Sequence, residues 1–177
     1  IDIVKQGKAL YVGISKYPPA QAKIAYEMLR AAGVPCLISQ YRYSMFDRTV
    51  EEKSLPLAAE QGSGFIAFSP LAQGLLTKKY LHGIPEHSRA ARSTGFLKVD
   101  QVTEDKVGKA RRLDEIAARR GQTLAEMALA WVLKDERMTS VIVGTSSVKQ
   151  LADNLHALDN LNFTNEELAE IEGILRL

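Results

Sequence analysis

The sequence predicts an α/β fold built on a parallel sheet, and three observations point that way. Short apolar runs at residues 9–14, 36–40, 64–68 and 140–143 alternate with stretches whose apolar residues recur at helical spacing. The runs are continuously apolar rather than alternating, which suits strands covered on both faces. Turn and cap residues separate the two kinds of segment at short intervals. Alternating strands and helices imply right-handed crossovers between parallel neighbours. Four such units fit either an open doubly wound sheet or half of an eight-stranded barrel, and periodicity does not choose between them.

The elements follow in order. Residues 1–6 read as the end of a helix, and the chain opens at Ile1 without a methionine, so a longer N-terminal region is expected. The first strand, 9–14, ends at Ser15. Pro18 and Pro19 then suit a helix start, where a missing N–H is harmless. Ile24, Ala25, Met28, Leu29 and Ala32 repeat along that helix until Gly33, a C-terminal cap. The second strand, 36–40, leads into an irregular stretch at 41–48 and a helix over 50–60. Gly64-Phe65-Ile66-Ala67-Phe68 is the third strand, closed by Ser69-Pro70. Residues 71–98 show little periodicity, and a loop of that length in a compact fold is expected to be functional or mobile. Helices over 104–120 and 124–133 follow, the second opened by a Thr123/Glu126 capping pair. The fourth strand, 140–143, precedes a helix over 147–158. Thr164 and Glu167 cap a final helix.

Composition narrows the function. The chain has 177 residues, 46% hydrophobic and 25% charged, the range of an ordinary globular domain. Its 23 basic and 21 acidic residues are interspersed, so nothing marks a nucleic-acid surface. Cys36 is the single cysteine, which excludes a disulfide framework, and its apolar setting suits a small buried side chain. His82, His87 and His156 show no ligand spacing with one another or with Cys36, so no metal is expected. No apolar run reaches the length of a membrane helix and no signal peptide is present, so a cytoplasmic protein is expected.

In parallel α/β architectures, ligands sit just beyond the C-terminal ends of the strands. Those positions are polar here: Ser15-Lys16, Gln40, Ser69, and Gly144-Thr145-Ser146-Ser147. Each alone suits a cap or a solvated loop, but four in register favour a polar ligand along that rim. Gly144 before a Ser/Thr run and a helix is a candidate anion cradle, because free N–H groups at a helix N-terminus attract phosphate. Gln150, Asp153 and Asn154 lie on that helix, and Lys78, Lys79, Arg89 and Arg92 stand in the long loop ready to pair with phosphate. Gly62-Ser63-Gly64 carries the letters of a dinucleotide fingerprint but leads into a strand rather than a helix, so it is rejected.

Three segments in order resemble the aldo-keto reductases: residues 7–15, the run Phe68-Ser69-Pro70-Leu71-Ala72-Gln73-Gly74-Leu75-Leu76-Thr77, and residues 144–154. The resemblance spans essentially the whole chain and is strongest to the bacterial glyceraldehyde-3-phosphate-reducing type and the potassium-channel β subunits. It implies a (β/α)₈ TIM barrel of which residues 1–177 form the C-terminal half, strands five to eight with their helices. It also implies reduction of an aldehyde or ketone by NADP(H), with a small carbonyl compound, such as glyceraldehyde 3-phosphate, as substrate. A homo-oligomer is compatible with it. The other readings are a cofactor-sensing regulatory subunit and a non-catalytic fragment.

The resemblance assigns cofactor roles residue by residue. Ser15 and Gln40 would hold the nicotinamide carboxamide, with Lys16 where relatives often carry Asn or Arg. Phe68 would stack on the nicotinamide ring, where many relatives have Trp or Tyr. Ser69, Pro70, Leu71, Ala72 and Gln73 would line the pyrophosphate, and Lys79 and Arg89 would clamp phosphate. Gly144, Ser146, Gln150, Asp153 and Asn154 match the adenosine-phosphate end, with Asp153 replacing the commoner Glu. Arg89 or Arg92 would meet a substrate phosphate. The family's proton-donating tyrosine and its lysine, aspartate and histidine companions come from the first four strands, so no catalytic residue is expected in this chain. Tyr11, Tyr17, Tyr41 and Tyr43 match no catalytic position.

Overall fold

Four strands pair side by side in the order in which the chain makes them. A computed structural model describes residues 1–92 and 94–176. After a short helix α1 (Asp2–Lys5) come β1 (Val12–Ser15), α2 (Pro19–Ala31), β2 (Cys36–Arg42), α3 (Ser54–Glu60) and β3 (Gly64–Phe68). Then follow α4 (Glu104–Arg119), α5 (Leu124–Leu133), β4 (Met138–Ile142), α6 (Val148–Leu155) and α7 (Asn165–Arg176). The sheet order is β1-β2-β3-β4 and every pairing is parallel. A doubly wound sheet reverses its order at a switch point. No reversal occurs among these four strands, and sequential order is that of a barrel wall.

The sheet has two unlike faces. Ile14, Ser39, Tyr41, Phe65 and Ala67 are buried against the helices. On the opposite, open face the register aligns Ser15, Gln40, Ile66 and Ser140 in one row. Arg42, Phe68 and Ile142 form the next row toward the C-terminal ends. The main core lies on the helix side, where α3, α4, α5 and α7 bring Leu55, Leu113, Ile116, Met127, Trp131 and Ile171 together. Most of α5 is buried, from Met127 to Val132 without a break, as a helix apolar on all sides after its first turn requires. The polar atoms within this layer are satisfied locally: the Tyr26 hydroxyl meets Ser39 Oγ at 2.6 Å, and Ser39 meets Ser63 at 3.1 Å.

Several expected boundaries shift, each for a tertiary reason. β1 begins at Val12 rather than residue 9, and Leu10 and Tyr11 are 82% and 70% exposed. The strand is an edge of this sheet, so its apolar run is not covered on both faces as expected. In α2 the buried face carries Ala22 and Tyr26, whereas Ile24 and Met28 point outward. Its end is as expected: Gly33, at φ +72°, lets its own N–H reach Arg30 O and that of Val34 reach Leu29 O. β2 runs on to Arg42 because β3 pairs with it as far as Phe68. α3 starts at Ser54, not 50, and β4 covers 138–142 rather than 140–143.

The long loop is more structured than its sequence suggests. Short 3₁₀ turns occupy Ala72–Gly74, Lys78–Tyr80 and Val99–Gln101. Leu75, Tyr80, Ala90 and Leu97 make a small core of its own. Arg111 on α4 donates to Leu81 O at 2.9 Å from Nε, which fastens the loop to the helix layer. Thr123/Glu126 and Thr164/Glu167 form the expected reciprocal caps. Among the described residues, no helix is long and apolar enough to cross a membrane.

Candidate functional site

The C-terminal ends of β1 and β3 lead into backbone that ordinary residues avoid. Lys16, Ser69, Ala72 and Gln73 have φ of 60°, 54°, 46° and 62°. Left-handed backbone costs a residue with a Cβ about 1–2 kcal/mol. Such strain persists where the surroundings over-determine it, and it clusters at ligand sites. Three of the four lie within the five residues after β3. Hydrogen bonds hold that loop in shape: Ala72 N donates to Ser69 O at 2.9 Å and Gly74 N to Leu71 O at 2.8 Å. Nothing in the sequence signalled these conformations, because none of the four is glycine.

Of the expected site residues, Ser15 and Gln40 are direct partners across β1 and β2, both on the open face. Lys16 N donates to Gln40 O at 3.0 Å, which continues the pairing one step past the strand. Phe68 stands half-buried at the end of β3 on that same face.

The next group encloses a cleft of about 540 Å³. Ser69, Pro70, Leu71 and Gln73 form one wall; Gly144 and Ser146 beyond β4, with Gln150, form the other. Lys79, Arg89 and Arg92 reach in from the long loop beside His87. The Arg89 guanidinium lies against Gly144, 3.6 Å from where a Cβ would stand. Ser147 caps α6, its hydroxyl accepting from Gln150 N at 3.1 Å. Ser146 donates to Gln150 Oε1 from N at 2.8 Å and from Oγ at 3.1 Å, which orients the amide. Three cations facing a helix N-terminus make a strongly anion-attracting cleft. Thr77 and Tyr80 also line it and were not anticipated. Their place depends on how the loop folds, which local sequence does not encode.

Ala72, Asp153 and Asn154 do not line that cleft. Asp153 pairs with Lys149 at 2.8 Å on the exposed side of α6. Asn154 faces the α5–β4 side, and its buried Nδ2 has no hydrogen-bond partner among the described residues. Arg42 was missed: a strand ending at Gln40 leaves it in a loop, but the strand continues and alternation puts it on the open face. It lines a smaller cleft that shares Ser69 and Gln73 with the larger one.

The tyrosines near the sheet are not poised to give up protons. Burial pushes Tyr41 up to about 12, and its hydroxyl donates to Tyr17 O at 2.7 Å. Burial drives Tyr43 still higher, and its hydroxyl donates to Glu51 at 2.7 Å. A general acid works best with a pKa near the operating pH. Among the described residues, no group of three or more His, Cys, Asp or Glu is placed to hold a metal.

Comparison with known proteins identifies the family. Residues 2–176 match the model of the aldo/keto reductase family. The chain is 48% identical over 173 residues to an L-glyceraldehyde 3-phosphate reductase of Escherichia coli O157:H7, covering 96% of this chain and 50% of that protein. It is 46% identical to the protein of the same name from Escherichia coli strain K12, with the same coverage. The chain thus spans about half the length of the curated relatives it matches. The chain belongs to the aldo/keto reductase family, and its four-stranded wall is part of that family's (β/α)₈ barrel.

Proposed function

We propose that this chain is the C-terminal half of an NADPH-dependent reductase of small aldehydes or ketones, and that residues 1–177 supply the cofactor-binding wall of one barrel domain. The observation that carries the reading is the cleft where Lys79, Arg89 and Arg92 meet the N-terminus of α6. A pyrophosphate or ribose phosphate is the chemistry such a site takes. The cleft's Ser69 wall directly follows Phe68, which leads to the open-face row of Ser15 and Gln40. A cofactor with an anionic middle and an amide-bearing ring fits that arrangement.

In this reading, Ser15 and Gln40 hold the carboxamide, with Lys16 beside them. Phe68 offers a ring for stacking, so that one face of the nicotinamide is exposed. Ser69, Pro70, Leu71 and Gln73 line the pyrophosphate on a loop strained at Ser69, Ala72 and Gln73, with Ala72 outside the lining, and Lys79 and Arg89 neutralise its charge. Gly144 lies beside the Arg89 guanidinium in the same cleft, where Ser146 and Gln150 read the ribose phosphate. Asp153 and Asn154 serve the adenine end. The bound nicotinamide supplies the hydride. The proton donor belongs to the part of the barrel outside this chain: Tyr41 and Tyr43 are buried with their hydroxyls bonded, and the exposed Tyr11 and Tyr17 match no catalytic position. A reducing cytoplasm suits the reading, as does the free buried thiol of Cys36. Glyceraldehyde 3-phosphate is the first substrate to try, given the names of the relatives.

The test is an assay of the full-length protein with short-chain aldehydes, phosphorylated and not, following NADPH and then NADH consumption. Oxidation of NADPH coupled to alcohol formation is expected. Consumption of neither cofactor with any aldehyde would sink the proposal.

A further inference from the structure

We propose that the smaller cleft beside Phe68 is a subsite for the anionic tail of the aldehyde, with Arg42 as its specificity-determining residue and Lys106 as a second cation. The inference rests on the reductase reading above. Arg42 is the last residue of β2 and is paired in register with Phe68. Alternation along β2 puts it on the open face with Gln40, and its backbone is the direct neighbour of the residue whose ring is assigned to the nicotinamide. The cleft it lines is about 150 Å³ and is bounded by Ser69 and Gln73. Those two residues also wall the larger cleft, so the two lie on either side of one strained loop.

The charges favour an anion. Arg42 and Lys106 face Asp47 in this cleft, a surplus of one positive charge. The Arg42–Asp47 contact is long, 3.9 Å, and the Arg42 side chain is 54% exposed, so it is a weak surface pair. Asp47 is also engaged by the Thr49 hydroxyl at 2.9 Å. Lys106 Nζ donates to the Gln101 carbonyl at 3.3 Å, and the nearby Asp105 pairs with Lys109 at 3.1 Å. A guanidinium has five donors, and one long contact leaves most of them for a dianion held in bidentate fashion. Arg89 and Arg92, the cations expected from sequence to meet a substrate phosphate, lie instead with Gly144 and Ser146 in the larger cleft. Arg42 is on the side of the loop that a substrate beside the nicotinamide would face. Phe96, 89% exposed at the rim, is available to cover the carbon chain.

The reading predicts a phosphorylated short-chain aldehyde as preferred substrate, chosen over its neutral parent. The experiment compares kcat/KM for glyceraldehyde 3-phosphate and for glyceraldehyde in the full-length protein, wild type against Arg42→Ala, Arg42→Lys and Lys106→Ala. The ratio of the two values is the readout, because it does not depend on the fraction of enzyme that is folded. Arg42→Ala should lower that ratio by about 10- to 100-fold, chiefly through KM for the phosphorylated substrate. Arg42→Lys should recover part of the loss, and Lys106→Ala should lower the ratio less than Arg42→Ala. A ratio unchanged in Arg42→Ala, with both aldehydes reduced, would overturn this assignment and leave the reductase reading standing. A wild-type enzyme that reduces neither aldehyde would overturn the reductase reading and this assignment with it.

Discussion

Individual residues carry the chemistry here through backbone shape as much as through side chains. Ser69, Ala72 and Gln73 adopt left-handed φ without being glycine, and the Arg89 guanidinium lies against the chain at Gly144. The guanidinium is the group on which the proposed phosphate contact depends most. Arg89→Ala should therefore raise the dissociation constant for NADPH in the full-length protein about tenfold, more at low salt than at high. Fluorescence titration at two ionic strengths checks both parts, and an unchanged constant would remove Arg89 from the cofactor site. Close approach matters at a second glycine. A Cβ on Gly13 would stand 2.9 Å from Ile38 O, where backbone leaves no room. Gly13→Ala is expected to destabilise by about 1–3 kcal/mol. Gly108, in the interior of α4, faces open space, so Gly108→Ala should stabilise by roughly 1 kcal/mol. Urea unfolding of the two variants should move the midpoint in opposite directions.

At the scale of elements, local sequence speaks clearly for helices and less so for strand ends. The Thr123/Glu126 and Thr164/Glu167 pairs mark helix starts because a cap is a contact between residues three apart. The end of β2 is set instead by how far β3 runs beside it, so residues 36–40 alone predict a strand two residues too short, with Arg42 outside it. The helix layer is tied to the loop after β2 by Arg48, which donates to Glu51 at 3.0 Å and to Glu172 on α7. The Arg48 hydrogen bond, aided by Arg176, holds the Glu172 carboxyl below the ordinary glutamate value. A depressed folded-state pKa stabilises the fold above the unfolded value of about 4.3 and loses that contribution as pH falls through the depressed one. Glu172→Gln should accordingly lower stability near neutral pH and converge with wild type in acid. Urea midpoints measured across that range should show the gap closing below the ordinary glutamate pKa; a gap constant with pH would mean that the ion pair contributes nothing.

The molecule as a whole leaves apolar surface uncovered. Leu10 and Tyr11 lie bare beside the β1 edge, and Leu151, Leu155 and Leu158 are 42%, 56% and 55% exposed. The three leucines line an apolar cleft of about 340 Å³ between α5, β4 and α6. If this is half of one barrel, the other half covers both regions. Residues 1–177 produced alone should then self-associate and bind a hydrophobic dye, whereas the full-length protein should do neither. Light scattering of the two would decide it, and a monodisperse, dye-silent half would count against the half-barrel proposal.

The sequence by itself determined the alternation of strands and helices, the helix caps, and the polar character of every strand end. These are properties of neighbours a few residues apart, and they determine which backbone bonds and which faces are satisfied locally. Only the tertiary structure decided the unreversed strand order that makes a barrel wall, the left-handed backbone of residues 69–73, and the side of the sheet on which Arg42 stands. The strand order and the placing of Arg42 depend on pairing between segments distant in the chain, and the loop after β3 takes its shape in residues with no glycine to signal it; hydrophobic periodicity carries no record of any of these.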